Sequence, residues 1–94
     1  METRKIVRTE KAGVFFAEIK ELNQKVATLT KARRLWYWDG ASSLSQLAQV
    51  GTSKPNSCKF PVAVDEIVVM DVCEILSVTD VAAKTMDGVK VWSN

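Results

Sequence analysis

Apolar and polar residues alternate along several stretches of the chain, which is the pattern of β-strands with one face turned toward a core. The alternation runs over residues 14–22 and again over residues 25–38. Asn23-Gln24 separates these two stretches and predicts a hairpin turn, although it lacks the glycine of the strongest turn signals. Residues 5–10 and residues 66–78 predict two further strands. The chain is therefore expected to be mainly β.

The predicted strand over residues 25–38 carries both apolar and charged residues on each face. Side chains alternate between the two faces of a strand, so both tryptophans should lie on one side and the tyrosine on the other. The first face comprises Val26, Thr28, Thr30, Ala32, Arg34, Trp36 and Trp38. The second comprises Ala27, Leu29, Lys31, Arg33, Leu35 and Tyr37. Neither face reads simply as the core.

The predicted strand over residues 66–78 is rich in Val and Ile on both faces. The phase of its charges shifts between Asp71 and Glu74, which predicts a bulge or bend near Val72. Before it, residues 58–64 contain Pro61, which cannot donate to a ladder and therefore favours an edge position.

Two short helices are predicted from their capping residues. Ser43 and Gln46 have the spacing of a capping box, and Gly51 stops the helix. Its apolar stripe, Leu44, Leu47 and Ala48, is expected to pack on the sheet. The second helix begins after Thr79 as N-cap and ends at Gly88. Residues 89–92 then form a short strand or a docked tail.

These elements predict a small α+β domain with a mainly antiparallel sheet, either a meander or a partly closed barrel, and two short helices. The chain has 94 residues, which is too short for two self-sufficient cores, so residues 1–94 form a single domain. Its mean hydropathy is −0.01. No apolar run approaches the ~20 residues of a membrane span, and residues 1–10 lack the apolar region of a secretory signal. We expect no membrane association and a location in the cytoplasm.

The net charge of +2 conceals an asymmetry between the two parts of the chain. Residues 1–38 hold nine basic and four acidic side chains, a net charge of +5. Residues 39–94 hold four basic and seven acidic side chains, a net charge of −3. Opposite net charges in the two parts of the chain can attract a polyanion, or they can let copies of the chain pair head to tail. Alternatively, the charged side chains are solvated on the strand surfaces and have no partner.

The residue types available argue against catalysis and against metal binding. The chain has no histidine, the commonest general base, and only two cysteines, Cys58 and Cys73. In a cytoplasmic protein these thiols are expected to be reduced. The glycines form no phosphate-binding motif. We therefore predict a non-enzymatic protein with no catalytic residues, no metal site and no cofactor.

Three cations and three aromatic residues lie within residues 31–38 and form the candidate interaction surface. Aromatic rings with neighbouring cations can anchor a protein interface, or they can stack on unpaired bases while the cations contact phosphates. The rings can equally belong to the core. The surface comprises Lys31, Arg33, Arg34, Trp36, Tyr37 and Trp38.

A second candidate surface lies in the predicted strand of residues 66–78. One small domain cannot cover both of its apolar faces, which favours self-association. The residues expected to carry it are Val68, Met70, Val72 and Ile75.

Several segments together resemble a family of small proteins encoded by tailed bacteriophages and prophages. They are residues 33–38 (RRLWYW), Gly40-Ala41, residues 43–48 (SLSQLA), residues 58–60 (CKF) and residues 66–69 (EIVV). The resemblance covers residues 5–92 and departs at the hairpin tip, where a glycine is expected. That family has no established activity, so the resemblance implies a phage origin and no catalytic residues.

From these observations we expect a phage or prophage accessory protein. It is expected to bind a phage or host protein, or a second copy of itself, in the host cytoplasm or in the virion. The alternative is a single-stranded nucleic-acid-binding protein that uses residues 31–38.

Overall fold

A computed structural model describes residues 1–93, which form a five-stranded antiparallel sheet and two α-helices. The order of strands in the sheet is β4-β3-β2-β1-β5, and the sheet is open because its edge strands, β4 and β5, do not pair within these residues. The predicted α+β class is confirmed. The elements are β1 (Lys5–Thr9), β2 (Val14–Asn23), β3 (Val26–Arg34), α1 (Leu44–Val50), a 3₁₀ turn (Pro55–Ser57), β4 (Val64–Val69), β5 (Val72–Ser77) and α2 (Asp80–Asp87).

The sheet curls because its two edge strands are joined by only Met70 and Asp71. The three residue steps from Val69 to Val72 span about 10–11 Å at most, so the opposite edges of the sheet must approach each other at this end. Hydrogen bonds hold the junction: the Val72 amide donates to the Lys25 carbonyl at 3.0 Å, and the Glu10 amide donates to the Asp71 carbonyl at 2.9 Å. The curled face encloses a small core of its own, formed by Val7, Phe15, Ala17, Ala27, Leu29, Ala32 and Val69.

The other face of the sheet is covered by the two helices and the tail. Ile6 and Phe16 contribute to this second core from the sheet, and Leu47 and Met86 contribute from the helices. Phe60 is fully buried among them. Residues 89–92 form a docked tail, which is one of the two predicted alternatives. Val91 forms an isolated β-bridge with Phe60, and the Trp92 amide donates to the Phe60 carbonyl at 2.9 Å.

The helix predictions are confirmed by the caps. The Ser43 hydroxyl accepts from the Gln46 amide, and the Thr79 hydroxyl accepts from the Ala82 amide. The Gln46 side chain reaches back to the Ser42 amide at 2.6 Å, one residue before the position that a standard capping box uses. Leu47 and Ala48 are buried and Leu44 packs against them, so the predicted stripe faces the core.

The predicted strand over residues 25–38 is wrong in length and in phase. β3 ends at Arg34, and Lys31 adopts a left-handed φ of 51° where the β2–β3 register shifts. This irregularity turns Ala32 to the same buried face as Ala27 and Leu29 rather than to the opposite face. The hairpin before it is confirmed, but its two-residue turn is Gln24-Lys25.

The predicted continuous strand over residues 66–78 is also wrong, because it is two strands on opposite edges of the sheet. The predicted bulge near Val72 is confirmed. Arg8 lies opposite Glu74 and Thr9 lies opposite Val72, which leaves Cys73 as the extra residue. The predicted edge strand over residues 58–64 is limited to isolated bridges at Lys59 and Phe60, and β4 starts only at Val64.

Candidate functional site

A solvent-open groove of about 410 Å³ lies between the β1–β2 turn and the segment that follows β3. We call it the tryptophan groove. Gly13 in the turn has a φ of 103°, a conformation that favours glycine, and its carbonyl accepts from the Thr9 amide at 2.9 Å. The Leu35 amide donates to the Val14 carbonyl at 2.8 Å, which places the end of β3 beside the turn. The groove is lined by Lys11, Ala12, Gly13, Val14, Arg34, Leu35, Trp36 and Trp38.

Arg34 lies in this groove with its guanidinium group held over an aromatic ring. Its Cζ lies 4.7 Å from the centre of the ring of Phe15, which belongs to the core that the curled sheet encloses. The side chain is exposed, and it makes no ion pair or side-chain hydrogen bond with any part of residues 1–93. The cation is therefore positioned by stacking, and its donors remain available.

The two tryptophans line the same groove at different depths. Trp38 is half-buried against the core beneath the helices, whereas Trp36 is 63% exposed. Leu35 between β3 and Trp36 is buried and anchors the segment. The indole of Trp36 therefore stands in solvent on a fixed backbone.

Tyr37 points away from this groove, so the predicted separation of the tyrosine from the tryptophans is confirmed, although in an extended segment outside the sheet. It forms an isolated β-bridge with Lys59. The Lys59 Nζ lies 5.9 Å from the Tyr37 ring centre and 5.7 Å from the Trp92 ring centre. Tyr37 belongs to a second, separate aromatic cluster near the tail.

Arg33 does not serve the candidate surface. Its guanidinium group donates to four backbone carbonyls, those of Phe60 at 3.2 Å, Pro61 at 3.3 Å, Met86 at 3.3 Å and Val89 at 2.7 Å. Burial lowers the pKa of Arg33. The residue fastens the tail and the end of α2 to the sheet.

Lys31 also lies outside the groove. It is exposed at the irregularity in β3, and its Nζ lies 3.3 Å from Glu18 Oε1. Of the six predicted surface residues, the structure therefore brings together Arg34, Trp36 and Trp38. The sequence analysis missed Lys11, because only the pairing of β1 with β2 and of Leu35 with Val14 brings that residue to the tryptophans.

Ion pairs within the molecule explain much of the charge asymmetry along the chain. Arg4, Arg8 and Lys20 come from the basic part, and they pair with Asp87 at 2.6 Å, Glu74 at 2.8 Å and Glu66 at 3.1 Å from the acidic part. Exposed pairs of this kind contribute about 0–1 kcal/mol each to stability. Part of the asymmetry therefore reflects complementarity between elements of one fold. Lys11 and Arg34 are among the cations of the basic part that form no ion pair within residues 1–93.

The predicted self-association residues lie on both edges of the sheet. Val68 on β4 is 48% exposed and Met70 in the following turn is 73% exposed. Val72 packs against the core of the curled sheet, and Ile75 is on β5. These four residues therefore do not share one strand.

Residues 1–93 contain no group of three or more His, Cys, Asp or Glu side chains placed to hold a metal ion. The same residues contain no helix long and apolar enough to cross a membrane. Both cysteines are free thiols, Cys58 buried and Cys73 exposed.

Residues 2–86 match the model of a family described as a domain of unknown function (DUF6948), and the chain belongs to that family. No curated protein matches the chain. No solved structure matches it either.

Proposed function

We propose that this member of the family is a non-catalytic accessory protein of a tailed bacteriophage or prophage that binds another protein through the tryptophan groove. The observation that carries the proposal is Trp36, whose indole is 63% exposed beside the half-buried Trp38. Tryptophan and arginine, together with tyrosine, are enriched at the energetic centres of protein interfaces. Trp36 and Arg34 lie together here on a backbone anchored by Leu35.

The lining of the groove supports binding rather than chemistry. It consists of two cations, two indoles, apolar side chains and a glycine turn. The residues that line it include no carboxylate, thiol or hydroxyl group, which leaves the amine of Lys11 with no general base beside it in the groove. We place the interaction in the host cytoplasm, with a phage or host protein as partner.

Replacing the exposed indole tests the proposal. Tagged wild-type protein is used to capture partners from phage-infected cells, in parallel with Trp36→Ala and with Val81→Ala, a control at a residue on α2 that is 67% exposed. We expect one partner to be retained by wild type and Val81→Ala and to be reduced at least tenfold with Trp36→Ala. Equal recovery of every captured protein by all three variants contradicts the proposal.

A second candidate function is single-stranded nucleic-acid binding, because Lys11 and Arg34 flank the exposed ring of Trp36. Base stacking on an aromatic ring is worth about 1–3 kcal/mol, and phosphate contacts make such binding strongly salt-dependent. This function requires oligothymidylate to quench tryptophan fluorescence at low salt and to lose that effect as salt rises. An unchanged emission at low salt eliminates it.

We also propose that the chain self-associates through the exposed apolar residues of β4 and the turn after it, Val68 and Met70. Val26 lies on the neighbouring strand β3 and is 42% exposed, which extends the patch. Sedimentation velocity at micromolar concentrations should show a species heavier than the monomer, and Met70→Lys should convert it to monomer. Val50→Lys, at a residue on α1 that is 55% exposed, is the matched control and should leave the distribution unchanged. A wild-type chain that sediments as a clean monomer contradicts this proposal.

A further inference from the structure

Two cations that form no ion pair with any part of residues 1–93 line the tryptophan groove. Arg4, Arg8, Lys20 and Lys31 each form an ion pair within the chain. Lys11 and Arg34 form none with the described residues, and no acidic side chain lines the groove. An anionic group that enters the groove therefore meets two cations whose charge is not already neutralised.

The environment of Arg34 suits a carboxylate in particular. The guanidinium group is fixed over the Phe15 ring, 4.7 Å from its centre, so little side-chain freedom is lost when a ligand binds. A guanidinium group presents a planar fork of donors that matches the two oxygens of a carboxylate. The indole of Trp36 offers an exposed apolar surface along the same groove.

A carboxylate of the chain lies beside the backbone of Lys11, one of the residues that line the groove. The Asp71 side chain accepts from the Lys11 amide, with Oδ2 at 2.7 Å, and Glu10 precedes Lys11 in the chain. A polyphosphate that continued past Lys11 would meet these negative charges, whereas a ligand with a single anionic group would not. The charge distribution therefore favours a protein segment over a nucleic-acid strand.

We propose that the groove binds a protein segment in which a single Asp or Glu carboxylate pairs with Arg34 and a neighbouring apolar side chain packs on Trp36. This inference rests on the proposed function and specifies the chemistry of the partner. The volume of about 410 Å³ lies within the range of small-ligand pockets, so the contact involves only a few residues of the partner.

The experiment selects displayed random short peptides on the immobilised wild-type protein and then measures the best binder in solution by tryptophan fluorescence. We expect the selected peptides to share an acidic residue next to an aromatic or aliphatic one. Arg34→Gln should weaken binding of the peptide by about tenfold to a hundredfold, because it removes hydrogen bonds between two charged groups. Replacing the peptide's acidic residue with its amide analogue should weaken binding by the same factor. The affinity of Arg34→Lys for the peptide should lie between those of wild type and Arg34→Gln, because lysine keeps the positive charge but lacks the planar pair of donors of a guanidinium group.

Two controls keep the result interpretable. Lys20→Gln removes a cation that is already paired with Glu66, outside the groove, and should leave the affinity unchanged. The circular dichroism spectrum of Arg34→Gln should match that of wild type. If it does not, the affinity of Arg34→Lys is compared with that of wild type instead.

Selected peptides that depend on Trp36 but lack an acidic residue would overturn this inference and leave the proposed function standing. Failure to select any peptide would also overturn it, and the capture experiment would then judge the proposed function independently. Competition by oligothymidylate at an affinity equal to that of the peptide would overturn the inference in favour of nucleic acid.

Discussion

Arg33 and Arg34 are neighbours in the chain and have opposite environments. Arg34 pairs in register with Phe15 and stacks over its ring in the groove, whereas Arg33 pairs with Phe16 and points beneath the helices. There Arg33 supplies donors to four carbonyls that lie where the tail, the loop before β4 and the end of α2 meet. The same residue type therefore fastens elements of the fold at one position and lies exposed in the tryptophan groove at the next.

Replacing Arg33 with lysine should destabilise the fold by about 2–4 kcal/mol, because one ammonium group cannot reach all four carbonyls and the others lose the hydrogen bond from the guanidinium group. Urea denaturation measures the change in the free energy of unfolding. Arg34→Lys is the matched control and should cost less than about 1 kcal/mol, since that side chain is exposed. Equal losses for the two variants would show that the carbonyl contacts of Arg33 do not stabilise the fold.

At the scale of elements, the two helices depend on each other. α1 has seven residues, too few to be stable alone. Its end is fixed by α2, since the Thr79 amide donates to the Ala48 carbonyl at 3.1 Å and the Thr52 amide donates to Thr85 Oγ1 at 3.1 Å. Gly51, with a φ of 78°, lets the two backbones approach this closely.

Gly51→Ala should therefore destabilise the protein by about 2 kcal/mol or more. A Cβ at this position would overlap with Thr85 Oγ1 and approach the Ala82 backbone to 3.1 Å, and the left-handed φ adds strain. Gly88→Ala provides the control, because Gly88 has a φ of −76° and the nearest atom to an added Cβ is at 3.3 Å. We expect thermal unfolding to show a large decrease in Tm for Gly51→Ala and a small change of either sign for Gly88→Ala.

At the scale of the whole molecule, charged residues at the start of the chain fasten it to the last helix. Arg4 pairs with Glu2 at 2.7 Å and with Asp87 at 2.6 Å, and it stacks over the Phe16 ring at 4.3 Å. The Glu2 amide donates to Asp80 Oδ1 at 2.6 Å. These contacts hold the start of the chain against α2 and the sheet.

The pairing predicts a specific loss of stability in acid. The hydrogen bond from the Arg4 side chain lowers the pKa of Glu2 from 4.5 to about 2. Because the pKa is lower in the folded state, this contribution is fully present above about pH 4.5 and is lost as the pH falls through about 2. Because the side chain of Glu2 is only 13% exposed, the contribution of this pairing to the free energy of unfolding is about 2–3 kcal/mol.

Unfolding free energies measured across this pH range test the prediction. Wild type and Glu2→Gln should differ most near neutral pH and converge toward pH 2. Glu21→Gln alters an exposed side chain near the tip of the β2–β3 hairpin and should leave the curve unchanged. A constant gap between wild type and Glu2→Gln at every pH would contradict the prediction.

The errors in the predicted strands have local physical causes that sequence patterns do not report. The alternation through residues 25–38 carries no sign that Lys31 adopts a left-handed conformation, which is uncommon for a lysine. The run over residues 66–78 contains neither Gly nor Pro at Met70-Asp71, so its division into two edge strands was not predicted. Only the bulge near Val72 could be predicted, from the spacing of Asp71 and Glu74.

The sequence by itself determined the α+β class, both helices with their caps, the β2–β3 hairpin and the separation of Tyr37 from the two tryptophans. These features depend on hydrogen bonds and side-chain alternation within a few residues. Only the tertiary structure decided which cations are free, because pairing with Asp87, Glu74 and Glu66 depends on strand order and curl. It also decided that Lys11 joins Arg34 and Trp36 in one groove, since residues more than twenty positions apart meet only through the pairing of the sheet.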